Sequence, residues 1–253
     1  MKIIQKAVMV LGLALVLSYL LRVLLHDSIS VDDLGKLGSV TGAVSTIYTL
    51  IIAFIIVEVW GQFNSLGASV AKEASTLVAL WNFTDYLDDK KIDKKMRPAL
   101  VKYIDKVLNE ERTEASMCKR TKHPSDELIA ILRVIDLVTV DNEKDAAVLP
   151  HLFEYFEQLS GARGGRLDAS TNRLPMFLKF LFIFLSVMTG VLFFLIPFES
   201  LAVQIFASGI VSFIIYLSYT LIVDLDNPFS GSWNVDYSPL TEAREYIETS
   251  ENL

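Results

Sequence analysis

A single acidic side chain lies near the end of an uncharged run that is long enough to cross a bilayer. The run extends from Leu37 to Trp60, and Glu58 is its only charged residue. Ile47, Ile51 and Phe54 precede Glu58 at helical spacing, so a helix places these side chains on one face. If several copies surrounded an axis, the apolar side chains would form rings that can gate by dewetting. The acids would then form a ring that favours cations.

Two simpler interpretations of the same helix stay open. Small residues recur along a neighbouring face at spacings of three and four, a pattern with which membrane helices pack closely: Gly38, Gly42, Ser45 and Thr49. Glu58 can also be interfacial, since Trp60 and Gln62 mark the level of the lipid headgroups nearby. Spacing alone therefore favours a packing helix over a pore helix.

The elements around this helix indicate an integral membrane protein with an all-α fold. Of its 253 residues, 52% are hydrophobic, and the net charge of −7 offers no basic face for nucleic acid. Helices with a rise of about 1.5 Å per residue would span the bilayer in four places: Ala7 to Leu25, Leu37 to Trp60, Met176 to Ile196, and Leu201 to Val223. The lipid bilayer is thus the first predicted partner.

The distribution of Lys and Arg predicts the orientation. Cytoplasmic flanks of membrane helices retain these residues, and the two short connections contain only Lys36. The other flanking cations are Lys2, Lys6, Arg163, Arg166, Arg173 and Lys179. We therefore expect a multi-pass protein of a bacterial inner membrane, with both termini and the large middle region in the cytoplasm.

Four parts of the chain follow from this assignment. Residues 1–61 hold the first two membrane helices, 62–173 a helical cytoplasmic domain, 174–223 the last two membrane helices, and 224–253 a cytoplasmic tail. Helical periodicity within the middle domain predicts helices over 63–87 and 93–108, a third beginning after an N-cap at Ser125, and a fourth over 143–159. Gly161 to Gly165, GARGG, is expected to break the fourth helix, and Arg163 and Arg166 are expected to flank the membrane.

No enzymatic constellation is found in the sequence. The lone Cys118 and the scattered His26, His123 and His151 have no metal-ligand spacing, and no nucleotide-binding or nucleophile motif is present. We predict neither a metal nor a cofactor. Because the deep parts of all four membrane helices lack ionisable groups, passive conduction is favoured over pumping.

Several short motifs resemble those of one family when they are taken in order. Trp60-Gly61-Gln62-Phe63, with Leu66, is similar to the segment that follows the pore helix of animal bestrophins, and Asn227-Pro228-Phe229 is similar to the motif after their last membrane helix. The order of membrane and cytoplasmic parts also matches. The chain most resembles uncharacterised bacterial bestrophin-like proteins, at Glu73-Ala74, at Arg173-Leu174-Pro175 and over Leu225 to Trp233.

The resemblance implies a homopentamer in which the second membrane helix lines an axial ion pathway with a narrow neck. Counting back from Trp60 leaves two registers for the neck. One places Gly42, Thr46 and Leu50 at the axis, and the other places Ala43, Ile47 and Ile51 there. We prefer the second register because it keeps two apolar rings.

The chain departs from the animal proteins in its acidic residues. Asp236 is the only acidic residue in the stretch SGSWNVDY that follows Phe229, where the animal proteins carry a run of acidic residues that binds calcium. No calcium site is therefore expected here. We expect Asp224 and Asp226 to cap or solvate a helix end. A position that is often basic in the animal proteins is acidic here, at Glu58. Asp27, Asp32 and Asp33 of the outer loop would add negative potential at the mouth.

We therefore predict a homopentameric ion channel that passes monovalent cations in preference to anions. Two alternatives stay open. One is an anion channel of the same architecture, and the other is a membrane-anchored interaction or scaffold protein that conducts no ions.

Overall fold

The computed structural model describes residues 16, 19–20, 31–87, 89–117, 125–196, 198, 200–229 and 232–250. All regular secondary structure in these residues is helical, in agreement with the predicted all-α class. The chain forms two compact units, Met1–Trp60 with Leu174–Asp226 and Gly61–Arg173 with Asn227–Leu253. The predicted first membrane helix, Ala7 to Leu25, lies outside the described residues except for Val16, Tyr19 and Leu20.

Eight α-helices and one π-helical turn, Val107–Glu111, lie in the described part of the chain. The helices are α1 Val31–Tyr86, α2 Lys90–Lys106, α3 Arg112–Ser116, α4 Asp126–Ile135, α5 Glu143–Thr171, α6 Met176–Leu195, α7 Leu201–Asp226 and α8 Ser238–Thr249. By length and composition, three of these described helices, α1, α6 and α7, are able to cross a membrane.

Helix α1 is continuous where the sequence indicates two separate helices, 37–60 and 63–87. Its buried stripe keeps one phase through the predicted break, with Ile55, Val59, Leu66 and Val70 all buried. The glycine in this stretch, Gly61, costs a helix only about 1 kcal/mol. The uninterrupted apolar stripe outweighs that cost, and the helix continues to Tyr86.

Helices α6 and α7 belong to the first unit and are joined by a short connection. Phe182 of α6 stacks on Tyr219 of α7, with ring centroids 6.3 Å apart. Asp226, at the end of α7, accepts a hydrogen bond from the Leu174 amide at 2.6 Å and pairs with Lys179 Nζ at 2.7 Å. Asp226 thus ties the segment before α6 to the end of α7, but it does not cap α6, because the N-cap of that helix is Pro175 and receives no side-chain hydrogen bond.

The second unit has an apolar core built from α1, α2, α4, α5 and α8, in which Trp81, Met96, Ile131 and Leu152 are almost fully buried. The predicted N-cap of α4 is confirmed, since the Ser125 hydroxyl accepts a hydrogen bond from the Leu128 amide at 3.2 Å.

The predicted helix break at GARGG is wrong, because α5 continues through these glycines to Thr171. At Gly165 the reason is packing, since a Cβ there would lie 3.1 Å from Ser69 Oγ of α1. The glycine thus permits two helices to approach closely instead of ending one of them. Arg163 and Arg166 lie within the same helix and are buried, so they do not flank a membrane as expected.

Candidate functional site

One face of α1 is packed within the first unit and the opposite face is open in the described structure. The packed residues recur at spacings of three, four and seven: Thr41, Tyr48, Ile52, Ile55 and Val59. Directly opposite on the helix lie small or apolar residues that are all exposed: Ala43, Thr46, Leu50, Ala53 and Val57. With about 100° between successive residues, the two sets are separated by half a turn.

The predicted neck residues fall on and beside this open face. Thr46, Ile47, Leu50 and Phe54 are exposed, whereas Ile51 is half-buried. The side chain of Leu50 is 56% exposed, and that of Phe54, 74%. The chain therefore presents apolar side chains on the open side of a membrane-length helix.

The predicted selectivity residue and the aromatic motif lie at the end of the same segment. Glu58 is exposed, Trp60 is 42% exposed, and Gln62 and Phe63 are half-buried. Glu58 follows Phe54 by one helical turn, so its carboxylate continues one side of the open face.

Motif residues that precede α6 and follow α7 contact each other. Within the second unit, Arg173 Nη2 donates to Asn227 Oδ1 at 3.0 Å, and the Arg173 guanidinium lies over the Phe229 ring at 5.8 Å. Pro228 and Phe229 are buried, and the Pro228 carbonyl accepts from the Val235 amide at 2.9 Å. The Arg-Leu-Pro and Asn-Pro-Phe motifs are therefore in contact through the Arg173 side chain.

A buried cluster of charges occupies the second unit, and Glu73 belongs to it. Arg166 Nε donates to Glu73 Oε2 at 2.7 Å, and Arg166 Nη2 donates to Glu111 Oε2 at 2.6 Å. Arg163 Nη2 donates to Glu111 Oε1 at 2.6 Å, and the Tyr103 hydroxyl donates to Glu73 Oε1. Two guanidiniums and two carboxylates thus balance in charge, which makes their burial tolerable.

The pKa values of the cluster follow from this pairing. Burial opposes ionisation of Glu111, but the charge and hydrogen bonds of Arg166 and Arg163 outweigh it and lower the pKa of Glu111. Burial, together with the charge of Glu73, raises the pKa of Tyr103 well above its usual range. Burial would depress the pKa of Arg166, yet Glu73 and Glu111 hold it well above the usual value. Glu111 and Arg166 are therefore charged at neutral pH.

Sequence reasoning identified Glu73 only through the resemblance and missed the rest of the cluster. The signal was available in α1, where Glu73 falls on the same stripe as Leu66, Val70 and Leu77, all buried. An acid within a buried helical stripe requires a buried cation, and the structure supplies it from α5 with Arg166. Glu111 was harder to find because a π-helical turn shifts its direction relative to α2.

Neither the open face of α1 nor the buried charge cluster forms a metal-binding group of side chains in the described structure. No three His, Cys, Asp or Glu side chains converge there at metal-binding distance. The buried carboxylates are saturated by arginine and tyrosine donors. The open face of α1 carries no nucleophile with an adjacent base.

Comparisons with known proteins agree with this architecture. The fold resembles a substituted variant of a bacterial bestrophin homolog from Klebsiella pneumoniae, with 13% identity, 98% of each chain covered and a TM-score of 0.72. It also resembles a crystal structure described as a membrane protein, with 12% identity, 96% of this chain and 97% of that chain covered and a TM-score of 0.75. At such identities the likeness concerns the fold alone.

Sequence comparison adds the family. No curated protein matches the chain. The sequence profile of the Bestrophin-like domain matches residues 8–240, which include the open face of α1, the buried charge cluster and the Asn-Pro-Phe motif. The chain therefore belongs to the bestrophin-like family.

Proposed function

We propose that this protein is a homopentameric ion channel of a bacterial inner membrane, with an axial pore lined by residues 37–60 of α1. It passes monovalent cations in preference to anions. The observation that carries the proposal is the open, apolar face of α1 in a bestrophin-like chain. In a membrane such a face meets either lipid or further copies of the chain, and in a bestrophin-like chain we place five copies around an axis there.

The burial pattern supports one of the two neck registers. Thr46 and Leu50 lie opposite the packed face of α1, as does Ala43 of the other register, but Ile51 of that register is half-buried beside the packed face. A helix packed on its own subunit directs the opposite face toward the symmetry axis, so we now place Thr46 and Leu50 at the neck. Ile47 and Phe54 lie beside them, where adjacent copies of α1 would meet.

The proposed topology has four membrane helices, namely residues 7–25, the first part of α1, α6 and α7. With Arg163 and Arg166 buried in the charge cluster, the orientation rests on the other flanking cations. These are Lys2 and Lys6 before the first helix and Arg173 and Lys179 at the start of α6. By the positive-inside rule both termini are cytoplasmic.

Glu58 supplies the charge preference in this proposal. Five copies would form a ring of carboxylates where the apolar neck ends, and a ring of acids concentrates cations and repels anions. Glu58 is exposed, so its carboxylate is within reach of an ion in the pathway.

A bilayer measurement of Glu58→Gln tests this assignment. The purified protein is reconstituted under a KCl gradient, and the reversal potential gives the ratio of potassium to chloride permeability. We expect the ratio to fall roughly fivefold in the variant, which corresponds to about 1 kcal/mol of Coulomb energy in a water-filled mouth. An unchanged reversal potential removes Glu58 from the mechanism.

The matched control is Glu157→Gln, which removes one exposed acid from α5 in the second unit and should leave the ratio unchanged. A wild-type reversal potential of the opposite sign would identify an anion channel of the same architecture. Absence of any flux from a correctly assembled particle would favour the scaffold alternative.

A further inference from the structure

Two hydroxyl groups of the first unit depart from the pattern of the others. Most described Ser and Thr hydroxyls of its helices donate to the carbonyl four residues earlier, which satisfies them inside a bilayer. They are Ser39, Thr41, Thr46, Thr49, Ser186, Ser212, Ser218 and Thr220. The hydroxyl oxygens of Ser45 and Thr189 are buried and have no hydrogen-bonding partner among the described residues.

Both exceptional hydroxyls lie one helical turn from the same contact. The Tyr48 hydroxyl of α1 and the Ser186 hydroxyl of α6 share a hydrogen bond of 3.2 Å. Ser45 precedes Tyr48 by three residues, and Thr189 follows Ser186 by three residues. Residues three apart share a helix face, so both hydroxyls belong to the seam between α1 and α6.

The direction of the two helices places Ser45 and Thr189 at one level. The chain leaves the first unit after Trp60 and re-enters it at Leu174. Tyr48 lies twelve residues before Trp60, and Ser186 lies twelve residues after Leu174, as expected where antiparallel helices meet. A further step of three residues moves about 4.5 Å along each helix in the same direction. Ser45 and Thr189 therefore come to the same depth.

A buried hydroxyl without a hydrogen-bonding partner destabilises the folded protein, and one water molecule can satisfy two such hydroxyls that lie at the same depth. Burying a hydroxyl without a partner costs about 1–3 kcal/mol. Thr189 is only 3% exposed, so bulk water does not reach it. A buried water typically makes about three hydrogen bonds. Ser45 and Thr189 offer two of them, and the Tyr48 and Ser186 hydroxyls lie one turn away.

We propose that one ordered water molecule is bound between Ser45 and Thr189, inside each subunit, and joins the pore helix to α6. That this depth lies within the membrane rests on the proposed function. The water site rests on the two unpartnered hydroxyls and on the Tyr48–Ser186 contact, so it holds whether or not the protein conducts.

The direct test is a structure of the full chain in lipid nanodiscs, at a resolution at which ordered water is visible. We expect a density peak within hydrogen-bonding distance of both Ser45 Oγ and Thr189 Oγ1. A direct hydrogen bond between the two hydroxyls would overturn the proposal. So would two hydroxyls that each donate to their own helix with no density between them.

A set of variants gives a second, independent readout. Ser45→Ala and Thr189→Val each remove one ligand, so each should lower the Tm and abolish the density peak. The double variant should lose little more than the more damaging single variant, because both changes expel the same water. Fully additive Tm shifts would contradict a shared water.

The matched control is Thr220→Val in α7, whose hydroxyl already donates to the Tyr216 carbonyl at 2.9 Å. This change should leave the density peak in place. None of these readouts uses ion flux. A protein that holds the water but conducts no ions would therefore contradict the proposed function alone, and a conducting protein without the water would contradict this inference alone.

Discussion

Arg166 determines what its neighbours must be, because its side chain has no exposed surface. A guanidinium removed from water is tolerated only when acids pair with it at hydrogen-bonding distance. Glu73 comes from α1 and Glu111 from the π-helical turn, so one arginine of α5 ties together three elements. The cluster is thus a structural requirement of the second unit, and breaking one pair would leave a buried charge behind.

Glu111→Gln should destabilise the second unit in a pH-dependent manner. At pH 7 we expect a loss on the order of 3 kcal/mol, because the change leaves Arg163 and Arg166 with an excess of buried charge. The pKa of Glu111 is lowered in the folded protein. Its contribution to stability is therefore complete above the ordinary value of 4.5 and is lost as the pH falls through the folded value.

Thermal unfolding of the detergent-solubilised protein at several pH values measures this effect. The gap in Tm between wild type and variant should be largest near neutral pH and should narrow below pH 4.5. Glu110→Gln is the control on the same turn, since its side chain is 68% exposed beside Lys106, and it should cost under about 1 kcal/mol. Equal effects of the two changes would contradict the buried role of Glu111.

At the scale of elements, periodicity was sufficient for much of the fold. The apolar runs predicted α6 and α7 to within three residues at either end, and the cap at Ser125 located the start of α4. The joined length of α1 was missed because the end of the apolar run at Trp60 was interpreted as the end of a helix. The continuation of α5 was missed for another reason. Glycine was interpreted as a helix breaker, whereas tertiary packing overrides its modest propensity, as the approach of Ser69 to Gly165 illustrates.

The site was less predictable than the fold. Spacing within 37–60 indicated which residues share a face, but not which face is packed. That information depends on contacts such as Tyr48 with Ser186, which are remote in sequence. The charge cluster likewise depends on partners 52 to 93 residues apart.

Adjacent residues of α1 provide a test of the neck register. Leu50→Ser should raise single-channel conductance severalfold, because a hydroxyl in place of a leucine at the neck opposes dewetting. Ile51→Ser changes the half-buried neighbour and should lower the Tm more than it alters conductance. Planar-bilayer recordings and melting curves of the two variants decide between the registers. A larger conductance change for Ile51→Ser would restore the register that contains Ile47 and Ile51.

At the scale of the whole molecule, the proposed pathway exists only in the assembly. A single α1 cannot enclose a pore, so symmetry must supply the other walls. We expect the solubilised particle to be a pentamer with α1 nearest the five-fold axis, as measured by electron microscopy or native mass spectrometry. A monomeric or dimeric particle would exclude an axial pore, whatever the outcome at Glu58.

The buried stripe of α1 keeps one direction along the helix, and this restricts how many residues can be inserted into the helix or deleted from it. Each inserted residue would rotate everything beyond it by about 100°. Within the second unit, one extra codon between Leu66 and Val70 would therefore turn Val70, Glu73 and Leu77 together away from the interior that Leu66 still faces. An insertion of seven codons would return the stripe to within about 20° of its original direction. Viable length variants of this segment should thus be confined to whole turns of the helix.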